Sequence, residues 1–151
     1  MKKAKVLAVA SIGGHWIQLL RLTKAFSTEI ELIYISTDDK IRVMVSESKF
    51  YKISDFSRWN AYKIVPVLFQ VIRIIVRENP SAVISTGAAP GLVCLFIAKL
   101  AGKKTIWVDS LANVDQLSLS GRIASKFASR IYTQWEHLSS DNIYFSGSIL
   151  N

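Results

Sequence analysis

Residues 5–15 read KVLAVASIGGH, an apolar run that ends at two glycines and a histidine. A short apolar run bounded by glycines predicts a buried strand, here from Lys5 to Ser11. A helix is predicted from His15 to Phe26, because apolar residues then recur at roughly helical spacing. The stretch therefore predicts a strand, a tight glycine turn and a helix.

The rest of the chain repeats this alternation of strand and helix. Further strands are predicted at Ile30–Ser36, Phe50–Ile53, Ala82–Ser85, Thr105–Val108, Arg130–Thr133 and Ile143–Phe145, and helices at Tyr62–Glu78, Leu92–Leu100 and Leu119–Ala128. Short apolar strands separated by helices imply a parallel sheet with helices on both faces. The predicted fold is α/β of the Rossmann type, and 151 residues fit one domain.

Composition narrows the classes of partner. The chain has 19 Lys plus Arg against 11 Asp plus Glu, a net charge of +8, which favours nucleic acid, phosphate-bearing ligands or an acidic membrane surface. The basic residues are scattered and no stacking motif stands out, so nucleic acid is the least favoured of these. The single cysteine, Cys94, excludes an internal disulfide and suits a reducing cytoplasm. We expect no targeting segment and no spanning helix, since no run approaches ~18 uninterrupted apolar residues.

Three polar or glycine-rich segments follow predicted strands. They are SIGGH at 11–15, STGAAPG at 85–91 and DSLAN at 109–113. Ligands of such sheets bind beyond the carboxyl ends of the strands, where these segments meet. The sequence therefore predicts a binding site at this edge.

The glycine turns suit an anionic ligand. Amides at the start of the helix that follows Gly13 and Gly14 carry partial positive charge, which favours a phosphate or a carboxylate. We expect Gly14 to need a positive φ. For the glycine pair, an ordinary turn remains the alternative. His15 is interpreted either as a general acid–base residue or as a helix residue that faces solvent. For Asp109 three roles are open: it orients His15, it holds a sugar hydroxyl, or it caps the next turn.

Four segments in order resemble a known family: SIGGH at 11–15, STGAAPG at 85–91, WVDSLANV at 107–114 and YTQWEHL at 132–138. They resemble the PssD/CpsF-type proteins of bacterial exopolysaccharide and capsule synthesis. These proteins are similar to the membrane-anchoring subunit of the eukaryotic dolichol-linked N-acetylglucosaminyltransferase, and to the N-terminal half of MurG-like GT-B glycosyltransferases. The segment YFSGS at 144–148 falls where the first MurG-like domain joins the second.

The resemblance implies that residues 1–151 form a single Rossmann-like domain, the acceptor-binding half of a split GT-B glycosyltransferase. A second chain would carry the nucleotide-sugar site, and the acceptor would be a polyprenyl-diphosphate-linked saccharide. The resemblance implies no metal ion and no cofactor. We therefore expect little or no transfer by this chain alone. The sequence departs from the anchored relatives in that no spanning helix precedes Lys5, so we expect peripheral attachment at the cytoplasmic face of the cell membrane.

Site residues follow from matching motif positions. His15 is the implied catalytic residue, as the base for the acceptor hydroxyl or as a ligand of the diphosphate. The residues implied in acceptor binding are Gly13, Gly14, Thr86, Gly87, Asp109, Ser110 and Asn113. The last three stand where the family more often has Glu-Ser and an Asn or Arg. Glu136 is implied at the partner interface.

Membrane contact is expected from two surfaces. On the helix Tyr62–Glu78 the polar side chains form one narrow stripe and nearly all others are apolar, so apolar surface remains beyond what the sheet buries, unless the helix is wholly buried. Arg122, Lys126 and Arg130 are four apart and predict a basic ridge, for anionic headgroups or simply for solvent. A nucleotide-binding regulatory module with the same fold remains the alternative function.

Overall fold

The computed structural model describes residues 2–150. Its strands are β1 (Ala4–Val9), β2 (Ile30–Ser36), β3 (Lys49–Lys52), β4 (Ala82–Ser85), β5 (Lys104–Val108), β6 (Arg130–Thr133) and β7 (Tyr144–Phe145). Its α-helices are α1 (Gly14–Thr23), α2 (Ile64–Glu78), α3 (Ala89–Leu100) and α4 (Leu119–Ala124), and short 3₁₀ helices span Asp39–Val45, Arg58–Lys63 and Glu136–Leu138. All the strands form one sheet in the order β3-β2-β1-β4-β5-β6-β7.

The sheet is parallel throughout, which confirms the predicted α/β fold of the Rossmann type. Each neighbouring pair runs parallel, and β1 lies between β2 and β4. The chain therefore adds β2 and β3 on one side of β1 and then β4 to β7 on the other side, so the strand order reverses direction at β1. In such sheets the ligand crevice opens beyond the carboxyl ends of the strands at this reversal.

The sheet separates two apolar cores. Leu7, Val9 and Trp107 belong to the larger core, which packs against α2, α3 and α4. Ala8 and Tyr34 point the other way, into a smaller core with Trp16 and Leu19 of α1. The alternation of side chains along each strand assigns them to the two faces. Helices thus cover both faces, as the parallel arrangement requires.

One predicted surface is wrong. The helix predicted over 119–128 ends at Ala124, so Arg122, Lys126 and Arg130 do not form one helical ridge. Arg130 begins β6, where its guanidinium donates to the Tyr144 hydroxyl at 3.0 Å and lies 5.0 Å from the centre of that ring. Arg122 lies within α4 and Lys126 just after it, and both are exposed.

Candidate functional site

A pocket of about 410 Å³ opens where β1, β4 and β5 end. It is lined by Gly14, His15, Ala88, Ser110, Ala112, Asn113, Ser118, Leu119 and Ser120. The three segments that follow these strands in the sequence all contribute to it. Its position matches the crevice that parallel α/β sheets offer to ligands.

His15 is held by the loop after β4. Its Nδ1 lies 3.1 Å from the carbonyl oxygen of Thr86, and the Thr86 hydroxyl donates to the carbonyl oxygen of His15 at 2.6 Å. A carbonyl oxygen only accepts, so Nδ1 carries the proton in this hydrogen bond and Nε2 of the neutral ring keeps its lone pair. His15 therefore offers Nε2 to whatever occupies the pocket.

Gly87 makes this arrangement possible. A Cβ at Gly87 would lie 2.2 Å from Nδ1 of His15 and 2.4 Å from Cε1, far inside van der Waals contact. Only a residue without a side chain lets the imidazole reach the Thr86 carbonyl. The glycine of the second loop is thus required by the histidine of the first.

The expectation for Gly14 is wrong. The residue with positive φ is Gly13, at 98°, whereas Gly14 is the first residue of α1. A Cβ at Gly14 meets nothing within 4 Å. Backbone strain in this turn therefore falls on Gly13.

Two helices begin at the pocket without side-chain caps. The residues preceding α1 and α3 are Gly13 and Ala88, and neither supplies a capping hydrogen bond. Ala88 has φ 69° and ψ 163°, a conformation that costs a non-glycine residue about 1–3 kcal/mol and that occurs preferentially at functional sites. Backbone N–H groups of the first turns are left for solvent or ligand, and together with the helix dipoles they favour an anion.

Asp109 organises the third loop from within. Its side chain is buried, and Oδ1 accepts from Trp107 Nε1 at 2.9 Å and from the Ser118 hydroxyl at 2.6 Å. Oδ2 accepts from Asn113 Nδ2 at 3.1 Å and from the Ser118 backbone at 2.9 Å. Four donors from the chain occupy this carboxylate, so its observed contacts fix the loop 110–118.

The remaining predicted residues divide into pocket-lining and supporting ones. Ser110 and Asn113 are partly exposed and line the pocket. Thr86 is buried, and its observed contact is with His15. Glu136 is exposed at the start of its 3₁₀ helix and lies outside the pocket lining. The adjacent Trp135 donates from Nε1 to the carbonyl of Leu111 at 3.0 Å, which joins this segment to the third loop.

Sequence reasoning missed Gln18, which links α1 to the third loop. Its Nε2 donates to the Asp109 carbonyl at 2.9 Å, and its Oε1 accepts from the Leu111 amide at 3.3 Å. Gln18 is only 5% exposed. The available signal was a polar residue on the buried face of the helix, beside Leu19, where burial requires partners.

A separate apolar groove of about 360 Å³ lies on the α1 side of the sheet. It is lined by Leu22, Phe26, Ile84, Ile106, Val108, Tyr132, Thr133, Gln134 and Ser146 to Ile149, and includes none of the predicted site residues. Beyond α1, Ile106 and Tyr132 of this sheet face are only partly buried. The groove is therefore a surface of the domain distinct from the pocket.

Helix α2 and the 3₁₀ helix that precedes it carry an exposed apolar stripe, defined by Tyr62, Val65, Phe69, Ile72 and Val76. These side chains are between 46% and 76% exposed. The opposite face of the helix, with Val67, Val71 and Ile75, is buried in the larger core. The predicted surplus of apolar surface on this helix is thus confirmed.

The segment Arg58–Glu78 is long and apolar enough to cross a membrane, by length and composition alone. It has 21 residues and a mean hydropathy of 1.3. A helix that forms part of a soluble core passes the same test. Helix α2 contributes one face to the larger core and exposes the other apolar face at the surface.

Comparisons with known proteins agree on one family and one fold. A family model described as "Oligosaccharide biosynthesis protein Alg14 like" matches residues 60–148. The UDP-N-acetylglucosamine transferase subunit ALG14 of Yarrowia lipolytica is 22% identical over 162 residues, covering 89% of this chain and 75% of that protein. The subunit of the same name from Candida albicans is 35% identical over 77 residues, covering 47% of this chain and 35% of that protein.

Solved structures with the same fold are two-fold longer. MurG of Acinetobacter baumannii superposes with a TM-score of 0.79 at 16% identity, over 95% of this chain and 45% of MurG. UDP-N-acetylglucosamine 2-epimerase from Rickettsia bellii gives 0.73 at 15% identity, over 98% of this chain and 46% of the epimerase. The chain thus spans somewhat under half the length of these proteins, and at such identities the likeness shows the fold, a Rossmann-like domain of the GT-B type.

Proposed function

Because the chain belongs to the Alg14-like family of oligosaccharide biosynthesis proteins, we propose that it is the acceptor-binding, membrane-associating subunit of a two-chain glycosyltransferase. In this proposal residues 1–151 act as one domain. The enzyme moves a sugar from a nucleotide-sugar to a polyprenyl-diphosphate-linked saccharide. Exopolysaccharide or capsule synthesis is the proposed setting, at the cytoplasmic face of the cell membrane.

The observation that carries this proposal is His15 beside two uncapped helix N-termini in one pocket. The amides at the starts of α1 and α3 suit the negative charge of a diphosphate. Nε2 of the neutral His15 ring suits the proton of a hydroxyl. An acceptor that bears both groups matches both features of the pocket.

The proposed chemistry begins with the acceptor hydroxyl. Its oxygen attacks the anomeric carbon of the donor sugar, the bond from that carbon to the nucleoside diphosphate breaks, and the diphosphate leaves with the electron pair. His15 takes the hydroxyl proton on Nε2, and the imidazolium that forms keeps its Nδ1–H on the Thr86 carbonyl. The hydrogen bond that sets the tautomer thus also holds the ring during proton transfer.

The second role of His15, as a ligand of the diphosphate, requires a proton on Nε2. A ring that donates from Nδ1 to Thr86 offers Nε2–H to a phosphate only when it is positively charged. The contact of Nδ1 with Thr86 leaves Nε2 free to act as the base whenever the ring is uncharged. In either role the proposal keeps Gly13, Gly14, Ser110 and Asn113 around the acceptor, with Thr86, Gly87 and Asp109 supporting them.

A partner chain that carries the nucleotide-sugar site completes the proposed enzyme. The name of the Yarrowia relative, a transferase subunit, supports a partner. The exposed Glu136, joined through Trp135 to the loop of Ser110 and Asn113, is the proposed contact nearest the pocket. The apolar groove under Ile106 and Tyr132 is a further surface that such a partner would cover.

Reconstitution tests the proposal. The chain is co-purified with candidate partner chains, and transfer from a panel of nucleotide-sugars to a polyprenyl-diphosphate saccharide is measured for the pair and for each chain alone. We expect transfer only from a pair. Robust transfer by this chain alone would contradict the split enzyme, and absence of transfer with every partner and donor would contradict the enzyme.

The second candidate is a nucleotide-binding regulatory module, favoured by the same uncapped helix starts, which suit nucleotide phosphates as well. It predicts that the isolated chain binds a nucleotide tightly, with the phosphates at the pocket. Calorimetry of the isolated chain with nucleotides and with a short polyprenyl diphosphate separates the two. Preference for the polyprenyl diphosphate supports the acceptor subunit.

A further inference from the structure

A basic cavity of about 250 Å³ lies between β3 and α2, on the side of the molecule that carries the apolar stripe. It is lined by Tyr51, Lys52, Gln70, Arg73, Ile74 and Arg77. Three of these six side chains are cations, and none is a carboxylate. From this cavity and its place beside the stripe, we infer that it binds the phosphate of an anionic phospholipid headgroup.

The cations of the cavity are weakly compensated. Among residues 2–150, Arg73 and Arg77 form no ion pair, and Lys52 reaches Asp39 only at 3.9 Å with both side chains more than half exposed. Like charges four residues apart on a helix repel each other. A phosphate placed between them removes this repulsion and gains charge-assisted hydrogen bonds.

The nearest buried carboxylate does not neutralise them. Glu78 accepts from Lys5 at 2.9 Å, from Lys49 at 2.6 Å and from the Tyr51 hydroxyl. Its negative charge is therefore already compensated by other cations. Arg73 and Arg77 keep an unbalanced positive potential at the mouth of the cavity.

Helix geometry puts this potential at the edge of the membrane-facing stripe. At about 100° per residue, Arg73 lies roughly 40° and Arg77 roughly 80° around the helix from Phe69, between the stripe and the buried face. Interfacial helices carry apolar side chains toward the acyl region and cations at their flanks, level with the headgroups. When the stripe lies against a bilayer, the cavity faces the headgroup layer.

The inference rests on the membrane contact in the proposed function, and it adds a defined headgroup site to that contact. Charge alone does not single out this cavity, since Arg122 and Lys126 are also exposed cations. What the cavity adds is a concave site whose lining includes two arginines of one helix turn and a lysine of β3. In a site of this kind, binding depends on where the cations lie, whereas binding to a diffuse basic surface depends only on how many there are.

The test compares two charge-matched double variants of the full chain. Arg73→Gln/Arg77→Gln and Arg122→Gln/Lys126→Gln each remove two positive charges. Binding to phosphatidylcholine vesicles with and without phosphatidylglycerol is measured by flotation and by surface plasmon resonance. At about 1 kcal/mol for each cation near an anionic bilayer, the cavity variant should lose about thirtyfold in affinity for the anionic vesicles, and the control much less.

Each outcome decides one point. Equal losses in the two variants overturn the cavity and leave a diffuse basic surface. Binding to phosphatidylcholine with no gain from phosphatidylglycerol overturns the cavity alone, whereas no binding to any vesicle overturns the membrane contact as well. Arginine-dependent binding of soluble glycerol phosphate at the affinity of the vesicles would assign the site to a free phosphate and overturn the lipid headgroup. A melt of each variant, and a second pair with Arg→Lys that should retain most binding, exclude unfolding as the cause.

Discussion

His15 and Thr86 hold each other through two hydrogen bonds across the crevice between β1 and β4. The imidazole Nδ1 lies 3.1 Å from the Thr86 carbonyl oxygen, and the Thr86 hydroxyl lies 2.6 Å from the His15 carbonyl oxygen. One bond fixes the ring and the other fixes the backbone that bears it. The two glycine-rich loops therefore form one unit, which the sequence presents as two separate turns 71 residues apart.

Gly87→Ala should break this unit. The new Cβ would lie 2.2 Å from His15 Nδ1, so the ring must leave the Thr86 carbonyl, and we expect transfer by the reconstituted pair to fall at least 100-fold. Gly102→Ala is the matched control, because Gly102 also has positive φ but its Cβ meets nothing within 4 Å. Each variant places a side chain at positive φ and should lose about 1–2 kcal/mol of stability in a thermal melt, and Gly87→Ala should lose more because it also breaks the contact between His15 and Thr86. Equal transfer by the two variants would contradict the role of the close approach.

His15→Ala and His15→Gln together separate the two roles of the histidine. If Nε2 is the base, both variants fold and both lose about 10²–10⁴-fold in the rate of transfer, since neither side chain accepts a proton usefully. If the ring instead binds the diphosphate, glutamine keeps a donor, and His15→Gln should retain much of the rate while raising KM for the acceptor. Steady-state kinetics of the reconstituted pair decide between them. Near-normal transfer by a folded His15→Ala pair returns His15 to a solvent-facing helix residue.

Asp109→Asn should act through the third loop. The amide keeps the shape but loses acceptor capacity at a carboxylate that four donors surround, so we expect a loss of about 2–3 kcal/mol in stability and weaker acceptor binding. Ser118→Ala removes one of those four donors, the hydroxyl, and keeps the backbone N–H that donates to Oδ2, so it should reproduce part of both effects. A large loss of acceptor affinity in Asp109→Asn with a normal melt and a normal Ser118→Ala would instead indicate direct contact with the acceptor.

The strands could be predicted more accurately than the helix ends. β2, β4 and β6 match their predicted bounds residue for residue, because short apolar runs between polar turns leave little freedom. Helix α3 begins at Ala89, three residues before its predicted start, since Pro90 fits a first helical turn where the sequence suggested a loop. Helix α4 ends early, and with it the basic ridge disappears.

The site shows the same division between what topology dictates and what packing decides. The sheet rule brought the segments at His15, Gly87 and Ser110 to one edge without any knowledge of side-chain contacts. The inward turn of Asp109 toward Trp107 depends on a local hydrogen-bond network, which spacing does not encode. The positive φ of Ala88 was equally hidden, because alanine carries no sequence signal for it.

The apolar stripe should dominate membrane attachment. Phe69→Ser with Val76→Ser removes two side chains that are 71% and 74% exposed, and each contributes on the order of 1–2 kcal/mol when it enters an interface. We expect most of the protein to move from the membrane fraction to the supernatant. Val43→Ser is the control, since Val43 is 75% exposed but lies in the 3₁₀ helix that packs on the other face of the sheet. Equal release by the control would contradict a stripe-directed contact.

Glu78 joins the end of α2 to β1 and β3 near the amino ends of these strands, away from the pocket at the carboxyl ends. Its side chain is 1% exposed, and it pairs with Lys5 of β1 and with Lys49 of β3. Burial by itself would raise the pKa of Glu78, but the hydrogen bonds from Lys49, Tyr51 and Lys5 outweigh burial and lower that pKa to about 2. The group is therefore a carboxylate at neutral and mildly acidic pH.

This cluster makes stability depend on acid. The folded pKa of Glu78 lies below the ordinary value of 4.5, so its stabilising contribution is present above about pH 4.5 and is lost as the pH falls toward 2. The shift corresponds to a loss on the order of 3 kcal/mol across that window. In Glu78→Gln the free energy of unfolding should already be lower at neutral pH, because Lys5 and Lys49 lose their partner, and its decline between pH 4.5 and 2 should be shallower than in the wild type. Denaturant titrations at a series of pH values measure both effects, with the exposed Glu47→Gln as control; an unchanged acid slope in Glu78→Gln would show that another group carries it.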